Sequence, residues 1–136
     1  MNKKNAFTLI EILVVIIILS FLASIAVLNY ITTLENFKAK EAQHILKEIY
    51  GSQKRYYLDH DAYATQLSSL DIDIKDDSNF DPPIACDMLV EGERIIAYMD
   101  RGSTQYQYRI QINTDAEIIC APTAPEDICQ KLGLSE

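Results

Sequence analysis

The chain begins with a membrane-length apolar run that contains a single carboxylate. From residue 7 to residue 34 the only charged residue is Glu11, and a short basic head with Lys3 and Lys4 precedes the run. The first 22 residues of this run would span roughly 33 Å as a helix, which matches a hydrocarbon core of about 30 Å. Because a lone acid is costly to place in such a segment, Glu11 is predicted to serve a function there.

The remainder of the chain is strongly acidic. The whole chain has 136 residues with 12 basic and 20 acidic side chains, and residues 30–136 hold 10 of the basic and 19 of the acidic ones, a formal charge of −9. Such a domain repels nucleic acid and anionic lipid headgroups, so no direct nucleic acid binding is expected. Lys3 and Lys4 favour a cytoplasmic N-terminus, which places the acidic domain on the other side of the membrane.

Three cysteines fit an oxidising compartment outside the cytoplasm, where a disulfide can persist. They are Cys86, Cys120 and Cys129, which allow one bridge and leave one thiol over. The bridge Cys120–Cys129 is favoured because both residues lie in the same turn-rich C-terminal stretch. Cys86 is then expected to be free and buried.

Two simpler interpretations of the N-terminal segment leave Glu11 without a role. A secretory signal would be cut after the apolar core, and the small residues Ala23 to Ala26 offer such a place. A plain single-span anchor would need only the apolar length. The core is long for a secretory signal and continues directly into an amphipathic stretch, which favours a different kind of segment.

The segment Lys3-Lys4-Asn5-Ala6, followed by Phe7-Thr8-Leu9-Ile10-Glu11 and the apolar run, resembles the class III signal of type IV prepilins and related pseudopilins. This resemblance implies cleavage between Ala6 and Phe7 by prepilin peptidase and N-methylation of the new terminus at Phe7. It also implies an inter-subunit salt bridge in which Glu11 of an incoming subunit meets the Phe7 amine of a neighbour. Removing one partner would strand the other charge in apolar surroundings, so such a pair would set axial register.

This chain departs from the family pattern at three positions. The family usually has glycine before the cleavage site, where this chain has Ala6. Because alanine is the smallest substitute for glycine, cleavage is still expected. Family members often have a glycine inside the apolar run and a proline near its end, where this chain has Ser20 and Leu28. Without those residues a kink or local melting of the helix is less favoured.

The resemblance implies three regions and a structural function. Residues 1–6 are the leader peptide, residues 7–29 the transmembrane half of a long helix, and residues 30–136 an extracytoplasmic globular domain. The expected protein is a structural subunit of a type IV pilus for adhesion, motility or uptake. It would polymerise from the inner membrane into a helical homo-oligomer, with prepilin peptidase and an inner-membrane assembly platform as partners.

Two alternatives remain open. A pseudopilin of a type II protein secretion system would share the signal and end in a periplasmic pseudopilus rather than a surface pilus. The C-terminal cysteine pair favours a pilin, because major pseudopilins commonly lack it. A single-span membrane-anchored receptor or enzyme is the more distant alternative.

The sequence predicts no catalysis, no cofactor and no metal. His44 and His60 are the only histidines, and neither belongs to a set of residues with catalytic spacing. Five aspartates precede Pro82 and Pro83, and this acidic loop could in principle hold calcium. Its spacing lacks the glycine and the terminal glutamate of an EF-hand, so an exposed loop without metal is favoured.

The pattern of the remaining residues predicts an α+β chain, and the resemblance implies the type IV pilin fold. One helix is expected from about residue 7 to residue 58, half transmembrane and half packed on a small antiparallel β-sheet, because apolar side chains recur at spacings of three and four and no breaker intervenes. A turn at residues 59–61 and a short helical piece before Leu70 should follow. Strands are expected at residues 95–99, 106–112 and 117–120, with a turn at residues 101–103. A further strand at residues 84–90 would make four, and a short last helix should end at Gly133 in a disulfide-closed C-terminal loop.

Overall fold

The computed structural model of the chain describes residues 8–74, 79–103, 106–121 and 126–134. The chain divides into two compact units after Glu35. Its elements, in chain order, are α1 (Leu9–His60), a 3-10 turn (Leu67–Ser69), β1 (Ile84–Val90), β2 (Glu93–Gly102), β3 (Gln107–Asn113), β4 (Ile118–Cys120) and α2 (Glu126–Lys131).

The four strands form one antiparallel sheet in the order β1-β2-β3-β4. Consecutive strands are neighbours, so short turns are sufficient to connect them. The turn between β1 and β2 has two residues, Glu91 and Gly92, with φ of 51° and 93°. Positive φ at both positions matches the twist of the flanking strands.

The turn between β3 and β4 is organised by Asn113, which is 1% exposed. The Oδ1 atom of Asn113 accepts hydrogen bonds from the backbone N–H groups of Asp115 at 3.0 Å and Glu117 at 2.9 Å. Between them Ala116 has a φ of 67°. The buried amide therefore holds this turn in a conformation that alanine seldom adopts.

The core of the second unit lies between the sheet and the part of α1 that belongs to this unit. Ala42, Leu46 and Ile49 are fully buried against apolar side chains of the sheet that include Met99 and Ile110. Their spacing of four and three places them on one face of the helix, as the sequence pattern predicts. Each large side chain of this kind contributes roughly 1.5–3 kcal/mol when it is removed from water.

Two predicted boundaries were wrong. A turn was expected at residues 101–103, but Arg101 and Gly102 belong to β2 because they pair with Tyr108 and Gln107. The reversal begins at Ser103, whose backbone N–H donates to the Tyr106 carbonyl at 3.0 Å. The long helix was expected to end at residue 58, but it continues to His60 because the first residue to leave helical geometry is Asp61, with a φ of 53°.

The predicted fold class is confirmed. The structure has a long N-terminal helix with an apolar first half and a four-stranded antiparallel sheet. The sheet includes Ile84–Val90 (β1), the additional strand that the sequence predicted. A Cys120–Cys129 disulfide lies in the C-terminal region. These features fit the type IV pilin fold. Gly133, expected to end the last helix, follows α2 with a φ of 66°, which glycine adopts at little cost.

Candidate functional site

The first turn of α1 is organised by Thr8, the residue that precedes the helix. The backbone N–H of Glu11 lies 3.3 Å from the Thr8 hydroxyl and 3.1 Å from the Thr8 carbonyl oxygen. A threonine hydroxyl in this position satisfies one of the N–H groups that have no partner inside the helix. The sequence signal for it is Thr8-Leu9-Ile10-Glu11, the Thr-x-x-Glu pattern of a helix start.

Glu11 therefore lies in the first turn of α1, and its side chain is exposed. An acidic side chain at a helix N-terminus is favoured by the partial positive charge of the free N–H groups there. This placement gives Glu11 a local role in addition to the predicted inter-subunit one. Ala6 and Phe7, the predicted cleavage and methylation residues, lie outside the described part of the chain, and the salt bridge between Glu11 and Phe7 stays a prediction.

The apolar side chains on both sides of Glu11 are exposed in the described part of their unit. Fourteen large apolar side chains between Leu9 and Val27 are each at least 41% exposed. A monomer in water would not be stable with so large a continuous apolar surface. The helix is long and apolar enough to cross a membrane, judged by length and composition. Lipid or the helices of other copies are the surroundings that this surface requires.

Two serines inside the apolar run form hydrogen bonds with the backbone of the helix itself. Ser20 donates its hydroxyl to the Ile16 carbonyl at 2.7 Å, and Ser24 donates to the Ser20 carbonyl at 2.9 Å. Because these groups need no outside partner, both serines are compatible with an apolar environment. Glu11 is then the one charged side chain from Thr8 to Leu34.

The C-terminal cysteine pair is joined as predicted. Cys120 at the end of β4 and Cys129 in α2 form a disulfide across a sequence separation of 9, with their Cα atoms 6.0 Å apart. Both are buried with Leu134 in the core. Cys86 is free and buried, as expected. Burial, followed by the nearby charge of Asp87, raises the pKa of the Cys86 thiol to about 11.

Among the described residues of the second unit, three arginine–aspartate pairs each form two hydrogen bonds. The Arg55 guanidinium, together with the hydroxyl of Ser52, lowers the pKa of Asp71 to about 2. The Arg94 guanidinium lowers the pKa of Asp87 in the same way. Asp100 pairs with Arg109 through an Nε–Oδ1 distance of 2.7 Å. These acids have structural partners, which argues against catalytic use.

The two histidines lie apart on the surface of α1. His44 contacts Glu48 at 3.5 Å, one helical turn away, and His60 stacks on Tyr56 with ring centroids 4.0 Å apart. Across the described residues, no group of three or more His, Cys, Asp or Glu side chains is placed to hold a metal ion. Part of the acidic loop considered for calcium, residues 75–78, lies outside the described chain.

Comparison with known proteins gives a family match at the N-terminus and a similarity to one pilin. Residues 1–27 match the family model for the prokaryotic N-terminal methylation motif. The chain is also 39% identical over 64 residues to the type IV major pilin protein PilA of Myxococcus xanthus (strain DK1622). This alignment covers 46% of the chain and 29% of that pilin, so the chain spans less than a third of the relative's length. No solved structure matches the chain.

Proposed function

We propose that this chain, a member of the type IV pilin family by its N-terminal methylation motif and its fold, is a structural subunit that polymerises into a type IV pilus filament. The observation that supports this proposal is the exposed apolar surface between Leu9 and Val27, which contains Glu11 near its start. A helix of this kind is stable in a bilayer and equally stable against copies of itself. Transfer from lipid into a filament therefore requires no loss of apolar burial.

The proposed sequence of events starts on the cytoplasmic face of the inner membrane. Prepilin peptidase removes residues 1–6 and methylates Phe7, which then carries a cationic amine. Glu11 of an arriving copy meets the Phe7 amine of a neighbour and fixes its position along the filament, because either charge alone would be left in apolar surroundings. The apolar helix faces contribute van der Waals packing between copies, and the ion pair selects the register.

The direction of growth follows from the asymmetry of the subunit. A helix with a charged start and an apolar half makes head-to-tail contacts, and such contacts build an open helical filament when the rotation does not close. The acidic globular unit then lies outside the cytoplasm. No catalytic function is proposed, because the charged side chains of the described sheet have structural partners or are solvated.

The experiment that tests this proposal compares the wild-type chain with Glu11→Val in cells that hold the assembly machinery. Both chains should insert and lose residues 1–6, and mass spectrometry should find N-methylated Phe7 at the new terminus. Wild-type cells should yield sheared surface filaments under electron microscopy, and Glu11→Val cells should yield few or none. Glu11→Asp, which keeps the charge on a shorter side chain, is the matched control and should retain part of the assembly.

Three outcomes would contradict the proposal. An intact Met1 in mature membrane material would exclude processing, and normal filaments from Glu11→Val would exclude the register role. Wild-type fibres that stay in the periplasm and accompany protein secretion would favour the secretion pseudopilin instead.

A further inference from the structure

Charge is segregated between two parts of the second unit. Residues 36–60, the part of α1 that belongs to this unit, hold five basic and three acidic side chains, a formal charge of +2. Residues 61–136 hold five basic and fifteen acidic side chains, a formal charge of −10. The two segments therefore carry formal charges of opposite sign, and charge complementarity of this kind favours the approach of a second copy in a defined orientation.

The basic surface lies on the face of α1 opposite the core. Seven residues at spacings of three and four form this outward stripe: Phe37, Lys40, His44, Lys47, Gly51, Arg55 and Leu58. A large apolar side chain lies at each end of the stripe: Phe37 is 66% exposed and Leu58 is 82% exposed. The stripe thus combines the lysines Lys40 and Lys47 with apolar ends that the unit itself leaves in water. Its Arg55 is paired with Asp71.

Gly51 at the middle of the stripe has no explanation inside the monomer. A Cβ atom added at Gly51 would meet only the Arg55 Nη1 atom, at 3.6 Å, which is ordinary van der Waals contact. Glycine is one of the least favourable residues in a helix interior, so alanine would be expected where nothing else acts. A glycine on an outward helix face permits another molecule to approach the backbone closely.

Four of the fifteen acidic side chains of residues 61–136 lie at one end of the sheet. This acidic end comprises Glu91 and Glu93 at the β1–β2 turn and Asp115 and Glu117 at the β3–β4 turn, all exposed. The Nδ2 atom of Asn113 brings two of them together, with Glu93 Oε2 at 3.0 Å and Glu117 Oε2 at 3.3 Å. None of the ion pairs found among described residues includes these four acids, whereas Asp71, Asp87 and Asp100 each pair with an arginine.

We infer that the outward stripe of one copy binds the acidic end of the sheet of a second copy. Lys40 and Lys47 would face the four acids, and Gly51 would admit the partner's turn close to the helix backbone. The two surfaces are different, so the contact is heterologous and repeats from copy to copy without closing a pair. This inference rests on the proposed function and adds a second contact to it, outside the membrane and independent of Glu11.

The first test measures proximity in the full chain. Two tagged variants, Lys47→Cys and Glu91→Cys, are expressed together and oxidised in cells that assemble filaments. A disulfide-linked heterodimer between the two tags is expected. Gln107→Cys is the matched control for Glu91→Cys, because Gln107 is also exposed but pairs with Gly102 at the other end of the sheet. It should give at least tenfold less heterodimer. Cys86 is buried and does not compete.

The second test exchanges the charges. Lys40→Glu with Lys47→Glu should lower the amount of sheared filament at least tenfold, and Glu91→Lys with Glu93→Lys should do the same. All four changes together should restore the amount of filament, because the charges are then reversed on both surfaces and attract each other again. Lys40→Arg with Lys47→Arg is the charge-preserving control. Gly51→Leu should also reduce the amount of filament and should raise the melting temperature of the chain in detergent. If Gly51 had only a structural role in the monomer, the same substitution would lower the melting temperature.

The two proposals fail in different ways. If the wild-type chain forms no filaments, the proposed function is overturned and this contact with it. If wild-type filaments form but Lys47→Cys links equally well to Gln107→Cys, the contact is overturned and the proposed function stands. Failure of the four-fold charge exchange to restore filaments would also overturn the contact.

Discussion

Gln53 and Ala64 exchange two hydrogen bonds across the end of the long helix. The Nε2 atom of Gln53 donates to the Ala64 carbonyl at 2.8 Å, and the Oε1 atom accepts from the Ala64 N–H at 2.8 Å. The same Nε2 atom donates to the Ile96 carbonyl at 3.0 Å. Gln53 is fully buried, so one side chain joins α1, the segment that follows it and β2.

Replacement of Gln53 by leucine should lower the free energy of unfolding by about 2–4 kcal/mol, because three buried backbone groups would lose their partner. Urea unfolding of the full chain in detergent micelles measures this change. Gln43→Leu, at a partly exposed position on the same helix, is the control and should change the free energy of unfolding by less than about 0.5 kcal/mol. Equal stability of the two variants would show that the Gln53 hydrogen bonds contribute little.

The pair of Asp71 with Arg55 should make the folded state less stable in acid. Its folded-state pKa of about 2 lies below the ordinary value of 3.8, because Arg55 and Ser52 hydrogen bond to the carboxylate. A group with a depressed pKa stabilises the fold above its unfolded pKa, and this contribution is lost as pH falls from about 4 to about 2. Thermal unfolding from pH 6 to pH 2 should show a shallower acid decline for Asp71→Asn than for wild type. Identical pH profiles would contradict the role of this pair.

Cys86 should react slowly with thiol reagents in the folded chain. A pKa of about 11, against an ordinary value of 9.0, lowers the thiolate fraction at pH 8 by about 100-fold, and burial restricts access further. Labelling with iodoacetamide should therefore be at least 100-fold slower in detergent micelles than in urea. Cys86→Ser should show no labelling in either solvent. Fast labelling of the native wild-type chain would contradict the buried position.

The Cys120–Cys129 disulfide should stabilise the C-terminal edge of the sheet. Replacement of both cysteines by serine should lower the free energy of unfolding by about 2–3 kcal/mol, because the bridge restricts a loop of about ten residues in the unfolded chain. Wild-type chain treated with reductant should show the same loss, which separates the bridge from the effect of the substitutions. A double variant as stable as oxidised wild type would show that other contacts hold β4 and α2.

The regular features of the fold were predictable because each depends on residues close in sequence. Apolar spacing predicts α1 and its buried face at Ala42, Leu46 and Ile49, and alternation predicts the strands. The ends were less predictable. Strand β2 extends to Gly102 because Gln107 on another strand completes its hydrogen bonds, and no local pattern at residues 101–103 reports that pairing.

The candidate site also has residues that the sequence reveals and residues that it does not. Glu11 is visible in the sequence because a single acid in an apolar run is conspicuous, and Thr8 could have been found from the Thr-x-x-Glu pattern. The partners of Gln53 and Asp71 could not, because they lie 11 or more residues away and meet only when the chain turns after His60.

The sequence by itself determined the apolar N-terminal helix, its lone acid, the acidic charge of the rest and the cysteines available for a bridge. These follow from composition and short-range spacing, which act before any long-range contact forms. The tertiary structure decided which charges are paired and which have no ion-pair partner among the described residues. Arg55, Arg94 and Arg109 are paired within the unit, whereas the acids at the β1–β2 and β3–β4 turns meet only because the sheet brings two distant turns to one end.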